Sequence, residues 1–126
     1  MKEELKNKTK KFAIDVFTNS QLLEGKFNDY KHQLIRCSSS VGANYRAACR
    51  AKSSKDFINK LKIVEEELDE SLFFIEIIKD LTFNSNKEWE KIYNEGNILL
   101  AIIVKSILTT RKNLKTNSST NVIRKT

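Results

Sequence analysis

The sequence predicts an all-α protein, an antiparallel up-down-up-down four-helix bundle, and three observations lead there. None of the 126 residues is proline and only Gly25, Gly42 and Gly96 are glycine, whereas folds of many short strands need frequent turn residues. Hydrophobic residues make up 40% and charged residues 31%, a balance that supports a packed core rather than wholesale disorder. Apolar residues recur at steps of three and four along four segments, and the short breaks between them favour antiparallel neighbours. The length suits a single domain. We place it at residues 1–115, followed by a basic, polar and disordered tail at 116–126.

The first segment runs from about Glu3 to Leu23, with Leu5, Phe12, Ala13, Val16 and Phe17 inward, and stops near Gly25. The second starts with Asn28 or Asp29 as cap and continues to about Ala51, with Leu34, Ser38, Val41, Tyr45 and Ala48 inward. Ser53-Ser54-Lys55-Asp56 announces the third, a serine cap with an acid in the first turn. Phe57, Leu61, Val64, Leu68, Ser71, Ile75 and Ile78 follow at alternating steps of four and three, the seam of a bundle helix. The fourth opens on a capping box, Ser85-Asn86-Lys87-Glu88, and carries Trp89, Ile92, Tyr93, Gly96, Leu100, Ile103 and Ile107 on one stripe.

Some apolar residues lie off these stripes. Phe73, Ile77 and Leu81 form a row on the far side of the third segment, and Ile98 and Ile102 point away from the Trp89 stripe of the fourth. A helix that is apolar on two sides contacts something on both. These five residues are therefore candidates for a subunit interface, against the simpler account of tolerated surface hydrophobes.

Several classes drop out. The longest apolar run, Ile98 to Val104, is seven residues, against the roughly 20 of a membrane span. No signal-peptide pattern opens the chain. Cys37 and Cys49 share one helical segment, about 18 Å apart, too far for a disulfide. They read as reduced, half-buried thiols of a cytoplasmic protein. The acid-rich run from Glu65 to Glu70 lacks the Glu-x-x-His partners of a di-iron bundle, and His32 is the one histidine. No metal, cofactor or membrane is expected. No phosphate loop or nucleophile elbow occurs either, so an enzyme is not expected.

The net charge is +7, and the composition of an AT-rich genome, heavy in Lys, Asn and Ile, accounts for it as readily as function does. Its distribution says more. Residues 1–20 carry +2, 21–52 carry +4, 53–82 carry −4, 83–110 carry none and 111–126 carry +5. In the second segment Arg36, Arg46 and Arg50 fall within about 80° of one another, opposite the inward face. Small residues (Ser39, Ser40, Ala43, Ala47) lie between them. A phosphate backbone could approach such a stripe, with Arg111, Lys112 and Lys115 adding to it. The alternative is an ion-pair role with Glu66, Asp69, Glu70, Glu76 and Asp80 of the third segment, across subunits. Asn44, mid-helix beside Gly42, is expected to make a helix-to-helix hydrogen bond.

The stretch Gly42-Ala43-Asn44-Tyr45-Arg46-Ala47-Ala48-Cys49-Arg50-Ala51, with Lys55-Asp56-Phe57-Ile58 and Ile63-Val64-Glu65-Glu66-Glu67-Leu68-Asp69-Glu70-Ser71-Leu72-Phe73 after it, resembles a known family. These are the bacterial four-helix-bundle proteins related to 23S ribosomal RNA intervening-sequence proteins, whose relatives include the accessory variability determinant of diversity-generating retroelements. The likeness spans roughly residues 10–112. Phe74 stands where many members have tryptophan, and Leu68 where alanine is common. The resemblance implies a homopentameric ring, an intracellular setting and no catalysis. For the retroelement relatives it implies binding of RNA or DNA and of a reverse transcriptase through basic surfaces. Two functions are expected in consequence: a nucleic-acid-binding accessory factor, or a scaffold for a protein partner with incidental charge.

Overall fold

The computed structural model describes residues 1–82 and 87–125, with side chains through residue 117. Four helices make it up: α1 (Lys2–Ser20), α2 (Asn28–Cys49), α3 (Ser54–Thr82) and α4 (Lys87–Lys125), with one 3-10 turn at Gly25–Phe27 and no strand among the described residues. Contacts join α1 to α2, α2 to α3, α3 to α4 and α4 back to α1, the last being the thinnest side. The four helices thus stand as corners of a square, each beside its sequence neighbours.

Local chemistry sets most of the ends. Glu3 and Glu4 sit in the first turn of α1, where carboxylates favour the helix dipole. At its other end the Ser20 hydroxyl donates to the Val16 carbonyl at 2.6 Å. The 3-10 turn runs directly into α2, so that Phe27, and neither Asn28 nor Asp29, holds the cap position. Ser53 caps α3 as its sequence indicates: its hydroxyl accepts from the Asp56 amide at 3.1 Å. The capping box anticipated for α4 lies partly at residues 85 and 86, outside the described residues. The α4 backbone stays helical to Lys125, past the boundary expected near 115; no glycine or proline follows Gly96 to interrupt it.

The core is one cluster filled from all four helices. Trp89 is its largest member at 1% exposure, and Phe12, Leu34, Leu61, Leu68, Ile75, Ile78, Ile92 and Ile103 are as deeply buried. The α3 seam is buried from Leu61 through Ile78, with Phe57 half-buried at its head. In α1 the stripe runs Leu5, Thr9, Phe12, Val16, so Phe17, one step round, is 52% exposed and not part of the core. Leu99 joins the α4 stripe. Between helices, the Cys37 sulfur meets the Ser71 hydroxyl at 3.2 Å, the Tyr30 and Phe74 rings lie 6.3 Å apart, and Lys79 pairs with Glu90. Asn44 donates to the Ser40 carbonyl of its own helix at 2.9 Å, not to a neighbouring helix as expected.

Residues 87–117 contain an 18-residue stretch that is, by length and composition alone, apolar enough to cross a membrane. The seven-residue run understates this helix. Only 28% of the stretch is buried within the chain, so α4 has apolar surface that the core does not use.

Two glycines test the packing. A methyl group on Gly96 would lie 2.8 Å from Leu72 Cδ2 and 3.0 Å from Phe12 Cε1, both buried side chains. One on Gly42 would meet Thr9 at an ordinary 3.5 Å. Alanine gains about 1 kcal/mol of helix propensity at either site, but overpacking costs about 1–3 kcal/mol. Gly42→Ala should therefore stabilise the fold by about 0.5–1 kcal/mol and Gly96→Ala should destabilise it by about 1 kcal/mol, read from urea denaturation midpoints.

Candidate nucleic-acid interface

The three arginines do not act as one stripe, because Arg36 and Arg46 turn to different helices and Arg50 stands at the end of α2. Arg36 turns to α3, where its guanidinium reaches Glu70 at 2.7 Å and Glu67 at 3.5 Å. The ion pair is therefore made inside one chain, with Glu70 as one of its acids. Arg46 turns to α1. Arg50 is exposed at the C-cap of α2. Arg111, Lys112 and Lys115 are all exposed on the last described turns of α4, where half-buried Leu114 still packs on the core.

Arg46 belongs to a cleft of about 540 Å³ between α1 and α2, with Lys6, Asn7 and Lys10 on the α1 side and Ser39, Gly42 and Ala43 on the α2 side. The small residues form its floor, since Gly42 lies against the Thr9 backbone. Glu3 is its one carboxylate, 3.2 Å from Lys6 and 81% exposed. Sequence reasoning found Arg46 and the small floor but missed Lys6 and Lys10. Their i, i+4 spacing was the available signal; their partner helix was not.

The opposite side is acidic. Between α3 and α4 a cleft of about 410 Å³ is lined by Lys62, Glu65, Glu66, Asp69, Leu100 and Val104. Among the described residues no group of three or more His, Cys, Asp or Glu side chains is placed to hold a metal ion.

Cys37 and Cys49 are both free thiols, and they differ in setting. Cys37 is fully buried, deeper than expected, and donates to the Leu34 carbonyl at 3.5 Å. Burial pushes its thiol above the ordinary value, with the Ser71 hydroxyl opposing in part. Burial also raises the Tyr45 phenol, helped by its contact with Cys49. Both groups favour their neutral forms when folded, so the unfolded chain loses these protons first as pH rises. Stability should hold below pH 9, the ordinary thiol value, and fall as pH climbs beyond it. A thiol reagent at pH 8 should label half-buried Cys49 at once and Cys37 only on unfolding. Equal labelling rates in the native protein would contradict this burial.

Comparison with known proteins supplies the lineage. The family model of the 23S rRNA-intervening sequence protein matches residues 1–105. Among solved structures, the chain is similar to a protein with unknown function from the S23 ribosomal protein family of Bacteroides thetaiotaomicron VPI-5482, determined at 1.70 Å. The two share 28% identity and a TM-score of 0.73, over 82% of this chain and 97% of that one. No curated protein matches the sequence. With the matched residues spanning all of α1, α2 and α3 and half of α4, the chain belongs to the 23S rRNA-intervening sequence protein family.

Proposed function

We propose that the protein is a non-enzymatic, cytoplasmic accessory factor that forms a homo-oligomer, most simply a pentamer, and binds nucleic acid by its phosphate backbone. The observation that carries this reading is the α1/α2 cleft, where Lys6, Lys10 and Arg46 converge over a floor of small residues. Such a floor lets a sugar-phosphate chain come close enough for charge-assisted hydrogen bonds. The exposed Arg111, Lys112 and Lys115 of α4 add positive field. Arg36 is assigned no part in it, because Glu67 and Glu70 hold its guanidinium.

The oligomer is supported by Phe73, Leu81 and Ile98, which are 57%, 43% and 61% exposed, and by half-buried Ile77 and Ile102 of the same rows. The up-down-up-down course is supported by three contacts: Tyr30 with Phe74, Cys37 with Ser71 and Lys79 with Glu90. Five copies would carry about +35. Binding is then driven by counterion release and reads little base sequence. No cofactor is called for.

Mixed-sequence RNA should bind at about 50 mM salt and lose at least about a hundredfold in affinity by 200 mM, if five or six phosphates are neutralised. Replacing Lys6, Lys10 and Arg46 together with glutamine should flatten the salt slope, whereas Arg36→Gln should leave it unchanged. No binding by the wild type at 50 mM salt would overturn the reading in favour of a scaffold for a protein partner such as a reverse transcriptase.

A further inference from the structure

The face that α1 and α2 share extends past the basic cleft. Ala13 of α1 and Ser39 of α2 both line that cleft. One helical turn beyond Ala13 stands Phe17, and one turn before Ser39 stands Ile35. In the antiparallel course proposed above these two fall at the same end of the cleft. The face then passes from cations, over small residues, to an apolar patch. Phe17 is 52% exposed and Ile14, three residues before it, is 53% exposed. Ile35 is half-buried against the core. The core takes Phe12 and Val16 from this part of α1 and leaves the Phe17 ring largely in water.

The cations at the other end are free to meet a ligand. Lys10 and Arg46 are exposed, and among the described residues neither forms an ion pair. Lys6 meets Glu3 at 3.2 Å, but that carboxylate is 81% exposed, and water screens such a pair. Phe17 lies seven residues from Lys10, two turns along the same side of α1 and about 10 Å away along its axis.

We infer that the nucleic acid taken by this face is single-stranded, with phosphates on Lys10 and Arg46 and an unpaired base stacked on the Phe17 ring. The inference rests on the nucleic-acid reading proposed above and names its substrate class. Bases within a duplex are covered on both faces by their neighbours, so Phe17 finds a partner only where a strand is unstacked. A separation of about 10 Å brings a base one or two nucleotides from the Lys10 phosphate over the ring. Ile14 and Ile35 border the ring with apolar surface that shields a stacked base from water. Every base has a face to stack, so preference for a single strand comes with little preference for sequence. Charge selects against an apolar or acidic peptide as occupant of the continuous face, since Glu3 is the one carboxylate in its cleft.

Fluorescence anisotropy at about 50 mM salt tests it, on labelled single-stranded RNA of mixed sequence and on a blunt RNA duplex of the same length. The wild type should bind the single strand at least about tenfold more tightly than the duplex. Phe17 lies largely outside the core, so Phe17→Leu should keep wild-type helicity by circular dichroism. It should lose about tenfold in affinity for the single strand, with the salt slope unchanged because no phosphate contact is removed. Phe17→Tyr, which keeps a ring, should bind as the wild type does, and the duplex should not distinguish Phe17→Leu from the wild type. If the wild type binds neither probe, the nucleic-acid reading and this inference fall together. Equal wild-type affinity for the two probes, or a folded Phe17→Leu variant with undiminished affinity for the single strand, would overturn this inference alone.

Discussion

The rotational setting of α3 is the constraint on which the other features depend. Leu61, Val64, Leu68, Ser71, Ile75 and Ile78 are all fully buried, and α2 and α4 both pack on the helix that carries them. Each buried aliphatic side chain contributes about 1.5–3 kcal/mol. Turning α3 by one residue, about 100°, would drive carboxylates into that space. Its acids and Phe73 are therefore held outward by what lies on the other face. The same setting presents Glu67 and Glu70 to Arg36 and Ser71 to Cys37.

Helix α1 divides the positive charge in a comparable way. Its stripe of Leu5, Thr9, Phe12 and Val16 goes to the core, and its lysines fall to either side of that stripe. Lys6 and Lys10 enter the cleft with α2; Lys8 and Lys11 enter the cleft with α4. One short helix thus supplies cations to two surfaces of different character, one polar with a small-residue floor and one apolar. A net charge of +7 does not express this. Its division among faces gives each cleft a different character.

Much of the fold was legible because helical periodicity and capping are local. The α3 seam and the Ser53 cap follow from neighbours three and four residues apart, and the structure has both. Phe17 was misplaced because hydrophobicity alone does not say which of two adjacent apolar residues faces inward; the stripe through Phe12 and Val16 decides it. Asn44 found its acceptor in its own helix, a choice no spacing rule distinguishes from a partner across the bundle. The candidate site was less legible. Arg36, Arg46 and Arg50 share a side of an isolated α2, yet α3 engages one, α1 faces another and the third marks the helix end. Which helix stands beside which side chain is tertiary information, and Lys6 and Lys10 became visible only with it.

The central claim is that nucleic acid meets one face of α1, the one that carries Lys6 and Lys10, and not the other. Lysine acetylation mapped by mass spectrometry, on wild-type protein with and without RNA at low salt, tests it most directly. The account predicts that Lys8 and Lys11, which line the cleft with α4, react equally with and without RNA. Lys6 and Lys10 should react freely until RNA is added and then become shielded. Shielding of Lys8 and Lys11 by RNA, with Lys6 and Lys10 unaffected, would contradict it.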